Sequence, residues 1–188
     1  VLRQKGIYLN SQDLSLNRER YMDNIASLRA KKTGIELLQQ GEKHLSKKEY
    51  DKAKTTFKKS LNKLKNDYTA HVLMAKCQLL RKKPSQALSY ADMAKKLYPS
   101  EVQGHFIAGI AGKELKKYTM AYKNFDTCDK LLPGNPQISF YKGYCLDKKG
   151  DIEPAANNYI NYLKMTGNQS NEYGQYAYNR LKQWGYAK

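Results

Sequence analysis

Histidine and cysteine are the residue types in this chain that could hold a metal ion or act as nucleophiles. There are three of each, namely His44, His71, His105, Cys77, Cys128 and Cys145. His71 and His105 lack carboxylates or thiols at the spacing that a zinc site needs. The sequence signatures of zinc peptidases, P-loop proteins and dinucleotide-binding folds do not occur. The sequence therefore indicates no catalytic residue, no metal site and no cofactor, and we interpret the histidines as packing residues.

The charge of the chain points to a partner. It has 34 Lys and Arg against 17 Asp and Glu, a net charge of +17 over 188 residues. The hydrophobic share of 40% is enough for a folded core, and no apolar run is long enough to span a membrane. Such a charge favours an anionic partner, which could be nucleic acid, a membrane surface or an acidic protein.

The sequence repeats every 34 residues, which sets the elements that would position any functional side chain. Three series of residues keep this period: Gly41, Ala75, Gly109 and Gly143; Ala53, Ala87, Ala121 and Ala155; Phe57, Ala91, Phe125 and Tyr159. His71 and His105 are also in phase. The period predicts four units, over residues 34–67, 68–101, 102–135 and 136–167.

Each unit is predicted to form a helical hairpin. In the first unit, the apolar spacing of Tyr50, Ala53 and Phe57 is that of one face of an α-helix. We expect the small residue of the first helix to approach the alanine of the second. The aromatic residue should then fill the gap toward the next unit. Two further helices are predicted to cap the ends of the array, over residues 15–30 and 171–184. Their apolar sides would hold Tyr21, Ile25 and Leu28 in the first and Tyr173, Tyr176, Tyr178, Leu181 and Trp184 in the second.

The chain resembles the tetratricopeptide repeat family, whose 34-residue unit has this pattern of small, aromatic and proline positions. The resemblance implies an all-α, right-handed superhelical solenoid of helix-turn-helix hairpins with N- and C-terminal capping helices. It divides the chain into an N-terminal segment and cap (1–33), four repeats (34–167) and a C-terminal cap (168–188). Lys65, Pro84 and Gly167 depart from the family pattern. Two repeats separate Cys77 from Cys145, too far for a disulfide, whereas a Cys128–Cys145 bridge stays open.

The resemblance also implies where a partner would bind. In this family the first helix of each unit lines a concave groove that receives a peptide or a helix of another protein. The matching candidates are Leu38, Glu42, Leu45, Val72, Lys76, Leu79, Phe106, Ile110, Lys113, Phe140, Tyr144 and Asp147. Members that hold the carboxylate of a chaperone tail use Lys, Asn and Arg. Leu38, Glu42, Leu73, Gln103 and Ile107 stand there, so an EEVD-like tail is not the expected ligand.

Basic residues recur in the turn between the two helices of every unit. They are Lys47, Lys48, Arg81, Lys82, Lys83, Lys116, Lys117, Lys148 and Lys149. Because the array repeats, we expect these turns to form one basic edge. The edge could meet an anionic membrane or an acidic protein, or it could serve solubility alone, while nucleic acid is an unlikely ligand.

The C-terminal stretch is similar to the end of the repeat domains that follow the peptidase in BepA-like zinc-metallopeptidase envelope proteins. The similarity lies in residues 159–163 and 175–186. It implies a non-catalytic docking domain of a periplasmic or envelope protein. The residues themselves leave a cytoplasmic location and self-association open.

Overall fold

The computed structural model describes residues 11–167 and 171–187, and within them the side chains of all but residues 11–15 and 17. Every regular element in these ranges is an α-helix. The helices are α1 (Ser11–Ser46), α2 (Tyr50–Lys63), α3 (Tyr68–Leu80), α4 (Pro84–Leu97), α5 (Val102–Glu114), α6 (Tyr118–Leu131), α7 (Pro136–Lys149), α8 (Ile152–Thr166) and α9 (Glu172–Gln183).

The helices pack in chain order. The pairs α1–α2, α3–α4, α5–α6 and α7–α8 are the most extensive packings, and each pair is joined by a short turn. The second helix of each pair packs on the first helix of the next, and α3 also contacts α5. This nearest-neighbour packing makes an all-α helical solenoid, as the sequence predicts.

The core is built where a glycine meets an aromatic ring of the same hairpin. A Cβ placed on Gly41 would lie 2.3 Å from Cε1 of Phe57, and one on Gly109 would lie 2.7 Å from Cε1 of Phe125. Both rings are fully buried. The missing side chain admits the ring within its own hairpin. The ring also packs toward the next unit, as expected, since Phe125 stacks on Tyr141 of α7 at 5.1 Å between ring centroids.

The turns inside the hairpins share one backbone conformation. A positive φ recurs at one repeat position, in Lys48 (59°), Lys82 (56°), Lys116 (57°) and Gly150 (86°). In the second hairpin the Lys82 N–H donates to the carbonyl of Leu79 and the Lys83 N–H to that of Gln78, both at 2.9 Å. This is the Schellman ending of a helix, in which the left-handed residue is usually glycine.

Replacing the left-handed lysine should therefore stabilise the protein. We expect Lys82→Gly to raise the free energy of unfolding by about 0.5–1 kcal/mol, because glycine adopts this conformation without the clash of a Cβ. Urea denaturation measures the change. Lys83→Gly is the matched control, since Lys83 has a φ of −117° and gains nothing from glycine. A Lys82→Gly protein no more stable than the wild type would contradict the interpretation.

The predicted N-terminal capping helix is not a separate element. Residues 15–30 belong to α1, which runs unbroken from Ser11 to Ser46. The apolar residues expected to cover the first hairpin face solvent, with Tyr21 64% and Leu28 62% exposed. The linking stretch Ala30–Gly34 contains no proline, and Gly34 packs on Leu64, so nothing ends the helix there.

The surface of α1 that would receive such a cap is polar. In α3 the residues that face the preceding hairpin include Ala70, Met74 and Cys77, all buried. The equivalent positions in α1, 34 residues earlier, hold Glu36, Gln40 and Lys43, all exposed. This side of the first hairpin therefore needs no apolar cover.

At the other end, α9 does pack on α8. Ala177 and Leu181 are its buried residues besides Gly174. Tyr176 and Trp184, predicted on the apolar side, are half-buried, and Tyr173 keeps 38% of its surface exposed. The helix contributes its aromatic residues to the core around Phe140.

Candidate functional site

A groove of about 760 Å³ runs across the first helices of the hairpins. Its walls come mainly from α3 and α5, with Glu42 of α1 at one end and Ile138 of α7 at the other. The lining residues are Glu42, Thr69, Val72, Leu73, Lys76, Leu79, Val102, Gln103, Phe106, Ile107, Ile110, Asn135, Gln137 and Ile138. The groove is open to solvent and apolar along its sides, so it can receive an extended or helical segment.

Half of the predicted groove residues lie in this groove. They are Glu42, Val72, Lys76, Leu79, Phe106 and Ile110. Leu38 is buried in the core of the first hairpin, and Leu45 packs against that core. These two lie on the side of α1 that faces α2, because they alternate with Gly34 and Gly41 at helical spacing.

The remaining candidates lie at the C-terminal end, where α9 approaches α7. Lys113, Phe140 and Tyr144 line a second cavity of about 150 Å³, which also includes Tyr173 and Tyr176 of α9. Phe140 is only 5% exposed and contacts Tyr173 at 4.7 Å between ring centroids. It is therefore a core residue rather than a free groove residue.

Asp147 is not a groove residue. It is buried, and it accepts hydrogen bonds from Arg180 Nε at 2.9 Å and from the hydroxyls of Tyr159 and Tyr176 at 3.2 Å each. A second bond of 2.5 Å from Arg180 Nη2 completes the pair. Hydrogen bonding to Asp147 raises the pKa of Arg180. Burial together with the Asp147 charge raises the pKa of Tyr176 to about 12. The carboxylate joins α7 to α8 and α9.

Polar residues stand at the entrance of the groove, and of these the sequence indicated only Gln103, at a clamp position. Thr69, Gln103 and Gln137 are exposed and lie in the first turns of α3, α5 and α7. Asn135 caps α7 by accepting from the N–H of Gln137 at 3.0 Å. Thr69 and Gln137 carry no apolar signal, and they could have been found only by assigning the first turn of the first helix of each unit to the groove.

Charge in the groove is sparse. Glu42 and Lys76 are both exposed on its lining. Lys113, near the second cavity, pairs with Glu114 at 2.9 Å and lies over the rings of Tyr141 and Tyr144 at 5.6 and 5.8 Å. Of the positions that would hold a carboxylate clamp, Leu38 and Ile107 are buried and Leu73 is apolar. The groove thus offers few donors for a terminal carboxylate.

The predicted basic edge consists of exposed side chains at the hairpin turns, with one exception. Lys47, Lys48, Lys82, Lys83, Lys116, Lys117, Lys148 and Lys149 are exposed. Arg81 instead pairs with Asp51 of the preceding hairpin at 2.6 Å. Lys149 pairs with Asp151 at 2.7 Å, and Lys148 lies 5.2 Å from the centre of the Tyr144 ring. None of these residues lines the groove.

Each of the two histidines in phase with the repeat contacts the linker that precedes its own helix. His71 Nε2 lies 2.9 Å from the carbonyl of Lys65, and His105 Nε2 lies 2.9 Å from that of Pro99. Lys65 and Pro99 occupy the same repeat position. Within residues 11–167 and 171–187, no group of three or more His, Cys, Asp or Glu side chains is arranged to hold a metal ion.

The three cysteines are buried free thiols, so Cys128 and Cys145 do not pair. Burial raises the pKa of both to about 12. We expect a thiol reagent at pH 8 to leave the folded protein unmodified, because all three thiols are fully buried and burial also raises the pKa of Cys77. Only about one Cys128 or Cys145 thiol in ten thousand would be ionised. The unfolded protein in guanidinium should release all three thiols. Rapid labelling of one thiol in the folded state would contradict this assignment.

None of the described helices is both long enough and apolar enough to cross a membrane.

Comparison with known proteins places the fold. No protein-family model matches the chain, and no curated protein matches it. Among solved structures, a crystal structure of MamA matches with a TM-score of 0.73 and 17% identity over 82% of this chain and 84% of that one. MamA residues 41-end from Desulfovibrio magneticus RS-1 match with a TM-score of 0.76 and 14% identity, covering 82% of this chain and 86% of that one.

A third similar structure contains a bound peptide. It is the first TPR domain of Spaghetti (RPAP3) bound to the HSP90 peptide SRMEEVD. Its TM-score is 0.62 at 20% identity, over 63% of this chain and 94% of that one. The narrower resemblance to the C-terminal domain of BepA-like proteins finds no support in these comparisons. The repeat period, the chain of hairpins and these structural likenesses together show that this protein has the tetratricopeptide repeat fold.

Proposed function

We propose that this protein is an interaction module that binds a segment of a partner protein in the groove lined by α3 and α5. The observation that carries the proposal is the groove itself. It has about 760 Å³ of space and apolar walls from Leu73, Leu79 and Ile110, none of which is fully buried by the chain's own packing. A concave surface with half-buried apolar walls of this kind is typical of a binding site.

The lining suggests what kind of segment fits. Apolar side chains of the partner would pack between α3 and α5, and polar groups would meet Glu42 and Lys76 at the rim. A segment that presents side chains at helical or strand spacing satisfies this arrangement. The few donors at the clamp positions argue against a chaperone tail, although the RPAP3 domain of similar fold is seen with such a peptide.

The basic edge is a weaker candidate for the partner site. Its lysines occupy the left-handed position of the turns and the residues beside it, where they are exposed to solvent and line no groove. Binding to lipid or nucleic acid through this edge would weaken steeply with salt. Binding that persists at high salt would exclude that mode.

Site-specific photo-crosslinking tests the proposal. A benzoylphenylalanine at Gln103, on the groove, should form adducts with the partner in source cells. The matched control is the same amino acid at Gln86, an exposed glutamine of α4 that does not line the groove. We expect adducts at Gln103 and none at Gln86. Equal labelling at both positions, or adducts at Gln86 alone, would show that another surface binds the partner.

A further inference from the structure

Helix α1 carries a row of exposed apolar side chains. Tyr21, Leu28 and Ile35 are 64%, 62% and 50% exposed. They are spaced by seven residues, and side chains at this spacing share one face of a helix. The next residue in the row, Glu42, lines the groove. The row therefore lies on the groove side of α1 and extends that side beyond the repeats.

The geometry of the row suits a helix. From Tyr21 to Ile35 it spans about 21 Å along the helix axis. Ile25 lies between Tyr21 and Leu28, so the apolar residues follow each other at four and three residues. This is the spacing at which two helices pack along a common seam, and an extended peptide would not match it.

The charges beside the row indicate that the helix docking on it is acidic. Arg18, Arg29, Lys31 and Lys32 flank the row, all are exposed, and none forms an ion pair within the part of the chain that is described. The acids on or beside the row are Glu36 and Glu42, both at its C-terminal end. A second copy of the chain would present the same basic flanks and a net charge of +17, which opposes association.

We propose that this row docks an acidic amphipathic helix of the partner protein whose other segment occupies the groove. The inference rests on the proposed function, since it extends the same binding side. Apolar residues of the partner helix pack on Tyr21, Leu28 and Ile35, and its carboxylates meet the arginines and lysines on both sides of the row.

A designed peptide tests the row directly. The acidic probe is a labelled amphipathic helix of about three heptads, with leucines at four- and three-residue spacing and flanking glutamates. The comparison probe has lysines in place of the glutamates. Fluorescence anisotropy with the full chain should show binding of the acidic probe only. Tyr21→Ser with Leu28→Ser should weaken that binding by about tenfold or more, because two buried apolar contacts are lost.

Ala26→Ser is the matched control, because Ala26 is exposed on the opposite side of α1. It should leave the affinity unchanged, and all variants should keep the thermal midpoint of the wild type. The inference is wrong if the acidic probe does not bind or if the double serine variant binds it equally well. It is also wrong if sedimentation equilibrium finds a dimer that the double serine variant dissociates.

The two proposals fail separately. Adducts at Gln103 with no binding of the acidic probe would overturn only the role of α1. An absence of adducts at Gln103 would overturn the proposed function, whatever the probe does.

Discussion

Arg180→Ala is expected to destabilise the protein by about 3 kcal/mol, the cost of leaving a buried carboxylate without its counter-ion. The Asp147 side chain is 2% exposed, and Arg180 supplies its only positive partner among the described residues. Without the guanidinium, the hydroxyls of Tyr159 and Tyr176 remain as donors, and neither neutralises the charge. Urea denaturation followed by circular dichroism measures the loss.

A second ion pair provides the control. Arg81 and Asp51 also form a close pair between neighbouring hairpins, but the Asp51 side chain is 86% exposed. Arg81→Ala should therefore cost at most about 1 kcal/mol. Adding Asp147→Asn to Arg180→Ala should recover part of the loss, because the unpaired charge is removed. Equal costs for the two arginine substitutions would show that burial of Asp147 does not matter.

Gly109→Ala is expected to destabilise the array by about 1–3 kcal/mol, as overpacking of a tight core does. The new methyl would lie 2.7 Å from Cε1 of Phe125, which is fully buried. The ring also contacts Phe106 and Tyr141, at centroid distances of 5.9 and 5.1 Å, so it cannot move freely. Thermal and urea unfolding both report the change.

Gly104→Ala is the control on the same helix. There the methyl would lie 3.2 Å from Cγ and 3.4 Å from the backbone nitrogen of Lys95, contacts that a shift of a few tenths of an ångström relieves. The gain in helix propensity, about 1 kcal/mol, should then make this variant at least as stable as the wild type. If Gly109→Ala is as well tolerated as Gly104→Ala, the close approach of Gly109 and Phe125 is not required for packing.

The period of the sequence was sufficient to predict the hairpins and their order. Small and aromatic residues recur at fixed positions because each unit packs only on its neighbours, so the same contact is made again in each unit. Unit two supports this account, since Ala75 stands where the other units have glycine and Ala91 where they have an aromatic ring. The pair changes together, although the sequence alone did not show that the two residues touch.

The limits of prediction lie at the ends of the array and in the groove. Periodicity assigns a residue to a helix face, but it does not show which faces another element covers. Phe140 and Asp147 were predicted in the groove by their phase, and α9 covers both. The apolar spacing in the N-terminal part of α1 was misleading for the opposite reason, because Tyr21 and Leu28 have helical spacing but cover no hairpin and face solvent.

The packing also changes which substitutions test the groove. Phe106 and Tyr144 are aromatic residues of the predicted groove, so truncating them would be the natural test. However, Phe106 contacts Phe125 at 5.9 Å and Tyr144 contacts Tyr176 at 5.7 Å between ring centroids. Alanine at both positions would remove core contacts together with groove surface. Exposed glutamines, which the hydrophobic pattern ignores, offer a cleaner test.

The most direct test of the account is the affinity for the partner segment recovered by crosslinking, measured by titration calorimetry with two variants. Gln103→Trp places an indole inside the groove, and Gln86→Trp places the same group on α4 outside it. We expect Gln103→Trp to weaken binding by about tenfold or more through steric exclusion, because the loss of a central contact is worth over about 1 kcal/mol. We expect Gln86→Trp to bind like the wild type. The reverse order, or equal affinities for both variants, would contradict binding in the groove.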